Sequence, residues 1–208
     1  MKFIIAIIVL IFQTISNYKF DSYRSQDEVK IIIDCNYTFE EAISGIEIPN
    51  SILKQINLVD VEYYSFDEKL HRGQILINKK AAKDIAEIFE FIKSSRFPIA
   101  KVIPAVKYNW DDEASMIDNN TTAFNYRKVK GSEVLSAHSY GLAIDINPVQ
   151  NPHVKGKVIQ PLKAKYDVKT KGTILRDSKL VEEFVKRGWQ WGGRWRSSKD
   201  YQHFEKKN

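Results

Sequence analysis

The chain has 208 residues, with 32 Lys and Arg against 26 Asp and Glu, a formal net charge of +6, 43% hydrophobic residues and 28% charged ones. That composition excludes a collagen-like, coiled-coil or disordered chain, and the length suits one domain with at most a small appendage. A single cysteine, Cys35, excludes an internal disulfide framework and a cysteine-built zinc ribbon, so any metal site has to use histidines and carboxylates.

Lys2 precedes ten consecutive apolar residues, Phe3 to Phe12, and Gln13, Thr14 and Ser16 end the run. A positive charge, a short apolar stretch and a polar exit read as a secretory signal peptide over residues 1–16. The stretch falls well short of the roughly 20 apolar residues that span a membrane. Retention as an uncleaved membrane anchor is the alternative. The expectation is an exported protein, periplasmic or extracellular, acting as a monomer.

Residues 17–59 form an unassigned N-terminal segment, in which 28–33 read as a short strand and 50–56 as a helical turn. A domain over 60–208 follows. Gln74 to Asn78 is a strand by its β-branched content. Ala81 to Ser94 is the clearest helix: Ile85, Ile88, Phe89 and Ile92 recur at helical spacing, Lys83, Asp84, Glu87, Glu90 and Lys93 face the other way, and Pro98 stops it. Residues 99–108 read as a strand. Residues 109–133 are polar and read as a long loop, of the kind that is usually functional inside a compact domain.

Leu142 to Asn147 reads as a strand, and 151–172 as a second long loop carrying Lys163, Lys165, Lys169 and Lys171. Asp177 to Arg187 is a helix that buries Leu180, Val181, Phe184 and Val185 and stops at Gly188. Residues 189–208 hold three of the four tryptophans and end in a short strand. The order gives an α+β fold, a small, mostly antiparallel sheet with helices packed on one face. The lysines suit either a solvated surface or work beside an anionic surface such as a cell wall. No nucleic-acid-binding motif and no phosphate loop is present, so neither nucleic acid nor nucleotide is expected as a partner.

Two short segments carry the chemistry. In Ser136-Ala137-His138-Ser139-Tyr140-Gly141-Leu142-Ala143-Ile144-Asp145-Ile146-Asn147, strand alternation places Ala143, Asp145 and Asn147 on one face and Leu142, Ile144 and Ile146 on the other. Gly141 permits a sharp turn between His138 and that strand, so His138 can fold back beside Asp145. In Asp200-Tyr201-Gln202-His203-Phe204-Glu205, a turn near Ser197-Ser198-Lys199 would let Asp200 share a pocket with His203.

Two histidines and one aspartate are the ligand count of a catalytic zinc, whose fourth position is left for water. Zinc lowers the pKa of the water it binds to about 7, and a carboxylate outside the ligand set is then needed to move a proton; Asp200 fits that post. The residues alone leave open that His138 and His203 are structural histidines, unrelated in space. The chain has no His-Glu-x-x-His helix and no Gly-x-Ser-x-Gly elbow.

Ser136-x-His138-x-x-Gly141-x-Ala143-x-Asp145 resembles the signature of the zinc D-alanyl-D-alanine carboxypeptidases, the VanY-type peptidases and related peptidoglycan L,D-endopeptidases, whose fold is Hedgehog-like. Asp200-x-x-His203 is similar to their second motif. His71-x-Gly73-Gln74, Phe97-Pro98-Ile99, the run Asp118 to Arg127 and Gly188-Trp189-Gln190-Trp191-Gly192-Gly193 extend the resemblance over roughly residues 60–205.

The resemblance implies zinc on His138, Asp145 and His203, Asp200 as general base then acid, and Arg127 facing the scissile carbonyl; a surface ion pair is the plainer alternative for Arg127. Ser136, Glu205 and Trp191 are candidates for support of the ligands or contact with substrate. Peptidoglycan stem peptides are the implied substrate. D-alanyl-D-alanine carboxypeptidase is the leading activity and L-alanyl-D-glutamate-type endopeptidase the alternative. Asp200 stands where many members carry Glu, and the shorter acid occurs in the endopeptidase branch. A catalytically silent zinc-binding module is the third reading, against which the presence of both Asp200 and Arg127 counts.

Overall fold

The computed structural model describes residues 30–207, so the signal peptide expected over 1–16 lies outside the described residues. The architecture is α+β, as the order of elements implied, with helices beside several small sheets rather than one.

Strands β1 (Ile32–Ile33), β2 (Ile56–Tyr64) and β3 (Leu70–Asn78) form the first sheet in the order β1-β3-β2. β2 and β3 make a long antiparallel hairpin, from Ile56 opposite Asn78 to Tyr64 opposite Leu70, and β1 joins β3 in parallel. Between β1 and β2 lie helices α1 (Phe39–Ala42), held by a Thr38–Glu41 capping box, and α2 (Asn50–Leu53). The domain boundary expected at residue 60 is corrected: it falls inside β2. Ala42, Ile52 and Ile56 pack with Leu76 and Phe124, so residues 31–59 belong to the same compact unit as the rest.

The helix expected over 81–94 is α3 (Ala82–Ser95). Ile85, Ile88, Phe89 and Ile92 are all buried, each contributing about 1.5–3 kcal/mol by leaving water. The helix ends where Arg96 turns left-handed ahead of Pro98. The strand expected over 99–108 shrinks to β4 (Lys101–Val102), because Pro104 lacks the N–H a ladder needs and starts a 3₁₀ turn over Ala105–Tyr108. The loop expected over 109–133 contains helix α4 (Asp112–Ile117), capped by the Asp111 side chain on Ala114 N, and β5 (Asn120–Thr121), which pairs in parallel with β4.

β6 (Ala143–Asp145) lies within the strand expected there. The loop expected over 151–172 contains a hairpin, β7 (His153–Lys155) and β8 (Val158–Gln160), turning at Gly156, and stays without helix or strand from 161 to 172. Helix α5 (Lys179–Val185) buries Leu180, Val181 and Phe184, whereas Val185 faces solvent at 39% exposure. β9 (Trp189–Trp191), β10 (Lys199–Asp200) and β11 (His203–Lys206) complete the order. β6-β11-β9 is an antiparallel sheet and β10-β7-β8 another.

The main core lies among the β2–β3 hairpin, α3, α5 and the β6-β11-β9 sheet. Phe204 from β11 stacks on Phe184 of α5 at 3.8 Å, and Trp189 meets Phe184 edge-on at 5.6 Å. Asp84 of α3 accepts from Trp189 Nε1 at 3.0 Å and pairs with Lys206, fixing the helix to both strands.

Candidate metal centre

Asn78, at the end of β3, holds the turn that carries the first motif. Its backbone N donates to Gly141 O and its side chain to Tyr140 O, each at 2.9 Å. Residues Ala137–Tyr140 form a 3₁₀ turn whose first N–H groups are capped by Ser136 Oγ, which accepts from His138 N at 3.3 Å. Ser136 therefore acts on the turn's backbone. Gly141 closes the turn at φ +61, and an added Cβ would sit 2.6 Å from Asn78 N, so this position needs glycine on both counts. The chain then enters β6 with Ile144 in the core and Asp145 opposite.

β11 places His203 directly across from Asp145. Turn and register together bring His138, Asp145 and His203 into one buried group, whose donor atoms all lie within 4.8 Å of one another. Asp145 Oδ1 lies 2.9 Å from His203 Nδ1, Asp145 Oδ2 3.3 Å from His138 Nε2, and the two ring nitrogens 3.2 Å apart. Two bonds of about 2.0–2.1 Å to a tetrahedral ion put their nitrogens roughly 3.4 Å apart. These three side chains thus fit one small cation.

The ring orientations agree. His138 Nδ1 lies 2.6 Å from Ala123 O, a carbonyl that can only accept, so Nδ1 donates there and Nε2 is the nitrogen that faces the cluster. His203 has Glu205 Oε2 3.4 Å from its outer nitrogen Nε2, which leaves Nδ1 for the cluster. Glu205 therefore stands where a supporting carboxylate is needed.

The charges of the bare cluster follow from this crowding. Burial opposes the His203 charge, but hydrogen bonds to Asp145 and Glu205 outweigh it and hold the ring up at about 10. Burial likewise opposes the Asp145 charge, yet the two histidines hold its carboxyl far below the usual range. Asp200 on β10 is pushed up to about 6, first by burial and then by the Asp145 charge, and the charges of His203, His153 and His138 partly offset this. It can sit there because Gly192 leaves room: a Cβ at 192 would come within 2.7 Å of Asp200 O.

Residues 130–206 match the family described as D-alanyl-D-alanine carboxypeptidase. The match spans all three residues of the cluster together with Asp200 and Glu205, so the family resemblance carried by the two motifs holds over the part of the chain that builds this centre. No solved structure matches the chain.

Outside the matched span, the segment before the first motif runs beside it. Ser136 N donates to Arg127 O at 3.0 Å, Arg127 N to Ser139 Oγ at 2.9 Å, and Asn125 N to His138 O at 3.2 Å. The Arg127 side chain makes the ion pair that was its plainer alternative, Nη2 lying 3.0 Å from Asp112 Oδ2, while its Nε is buried without a partner. Trp191 is corrected: it is buried in the core, with Nε1 donating to Tyr201 O at 2.8 Å, and is not a surface for substrate. The indole beside the cluster is Trp195, its ring 5.3 Å from that of His203.

Among the described residues, four buried side-chain atoms lack a partner: Asn125 Oδ1, Arg127 Nε, Asp200 Oδ1 and Gln202 Oε1. All four belong to segments that border the cluster. Two cavities, of about 540 and 480 Å³, lie elsewhere, one beside Phe39, Leu53 and Ile56, the other beside Val61, Arg72 and Phe89; neither includes any of these atoms. Sequence reasoning gave no role to Asp112 or Asn125. The acidic run Asp111-Asp112-Glu113 ahead of Ala114 is a helix-start signal that could have exposed α4.

Proposed function

We propose that this chain is an exported zinc metallopeptidase that hydrolyses peptidoglycan stem peptides as a D-alanyl-D-alanine carboxypeptidase. The observation that carries the reading is the convergence of His138, Asp145 and His203 inside the segment that matches that family. Export rests on the apolar run Phe3 to Phe12.

A zinc ion held by these three side chains would polarise a carbonyl and supply a water-derived nucleophile at neutral pH. The chain's own residues do the rest. Asp200, whose carboxyl feels the charges of Asp145 and His203, takes a proton from the attacking water and returns it to the nitrogen that leaves as the C–N bond breaks. Arg127 presents a fixed positive charge to the carbonyl oxygen, where negative charge grows only as the water adds. Glu205 keeps the outer N–H of His203 engaged, which fixes the ring. Trp195 walls the site next to His203.

Asp200 in place of the more common Glu supports a second reading, an endopeptidase of the L-alanyl-D-glutamate type. Digestion of purified muropeptides by the zinc-loaded protein, with mass analysis of products, separates the outcomes. Loss of one terminal alanine is expected. A cut after L-alanine establishes the endopeptidase instead, and no product at all leaves the silent zinc-binding module.

A further inference from the structure

We infer that Asp112, on the first turn of α4, is a positioning residue that holds Arg127 and Asn125 as a paired donor and acceptor for the C=O and N–H of one extended residue of the substrate. This rests on the peptidase reading for its consequence, though not for its geometry.

One carboxylate serves both residues. Oδ2 of Asp112 pairs with Arg127 Nη2 at 3.0 Å, and Oδ1 accepts from Asn125 Nδ2 at 3.3 Å. A carboxylate accepts and cannot donate, so the Asn125 amide must turn its NH₂ to Asp112 and leave Oδ1 free. The guanidinium is engaged at Nη2, and its Nε–H makes no hydrogen bond of its own. Those two atoms, Asn125 Oδ1 and Arg127 Nε, are two of the four buried atoms without partners.

A buried donor and a buried acceptor held on one carboxylate match what one edge of an extended residue offers, its own C=O and N–H. Arg127 Nε suits the carbonyl oxygen and Asn125 Oδ1 suits an N–H. Asn125 is only 2% exposed, and its backbone is tied to the ligand turn through His138 O, so the pair is fixed relative to the metal ligands. Without Asp112 the guanidinium would be free to rotate about its long stem, and the amide could present either end.

The test has two arms. Nuclear magnetic resonance reads the geometry without any substrate: the Arg127 Nε–H should give a distinct, slowly exchanging signal in the native protein and lose its protection in Asp112→Asn. An unchanged signal would overturn the inference, whatever the enzyme's activity. Kinetics read the consequence. Losing a charge-assisted contact of this kind corresponds to roughly a ten- to hundredfold fall in turnover for Asp112→Asn, with zinc content unchanged. In an Arg127→Met background the same change should cost about threefold or less, because the group it positions is gone. An equal fall in both backgrounds would mean that Asp112 acts independently of Arg127. A native protein that cleaves no stem peptide would sink the peptidase reading and leave the first arm standing.

Discussion

Gly141→Ala is the sharpest test of how the fold seats the first ligand. Two costs add. Gly141 has φ +61, and a side chain in that left-handed region costs about 1–2 kcal/mol. The new Cβ would also lie 2.6 Å from Asn78 N, 2.9 Å from Ile56 Cδ1 and 3.1 Å from Ile77 C. Two of those atoms are backbone of the β3 end and cannot swing aside, so overpacking adds about 1–3 kcal/mol. The sum is about 2–5 kcal/mol, which for a unit of this size lowers Tm by on the order of 10 °C. Urea unfolding followed by tryptophan fluorescence measures it, with an unchanged slope showing that the unfolded state is the same. The shift should also weaken metal binding, because the displaced turn carries His138. A variant within 0.5 kcal/mol of the native protein and with full metal occupancy would show that the close approach to Asn78 does not hold this turn.

Four further outcomes follow from the site. His203→Ala should lose most bound zinc by metal analysis, since it removes one of three ligands; full occupancy would take His203 out of the ligand set. Asp200→Ala should keep zinc and lose about 10²–10⁴ in turnover, and native turnover would disqualify it as the proton carrier. Arg127→Met should lower kcat by about 10²–10³ with a smaller change in KM; a loss confined to KM would mean that the guanidinium grips a substrate carboxylate instead. In the metal-free protein His203 is held up at about 10 against an ordinary 6.5, so its charge adds stability fully below about 6.5 and loses it as pH rises through about 10. Zinc has to displace that proton, so binding at pH 7 should release about one proton per ion. Calorimetry in buffers of different ionisation enthalpy detects this, and identical heats in all buffers would refute it.

How far the sequence could be read depended on whether each element's signal was local. α3 announces itself, because four apolar residues at helical spacing face five charged ones. β6 was legible from the alternation around Asp145, whereas the grouping of His203 with His138 and Asp145 came from the resemblance of the two motifs, since no local signal links β11 to β6. β2 was missed: its nine residues bury Ile56, Val61 and Tyr63 but do not alternate cleanly, since both sheet faces are partly covered. α4 was hidden by its brevity and by acidic residues that look like loop. The β7–β8 hairpin was masked by its lysines, although Gly156 between Lys155 and Lys157 marks its turn. For Trp191 the sequence allowed both a substrate groove and the core, since its burial is settled by the partners of β9 rather than by its own residues.

The register of β11 has a consequence for how this protein can vary. His203 sits on the central strand of its sheet, bonded on one side to β6 and on the other to β9. Slipping the strand by one residue would bring Phe204 opposite Asp145 and drive His203 towards Phe184. Insertions or deletions within 203–206 are therefore forbidden twice over, by the core and by the ligands. The tip of the β7–β8 hairpin, Lys155 to Val158, is under no such length rule, because it is exposed and lies beyond the residues of β7 that pair with β10. Lengthening or re-sequencing that tip leaves β6, β11 and the ligands they carry in register.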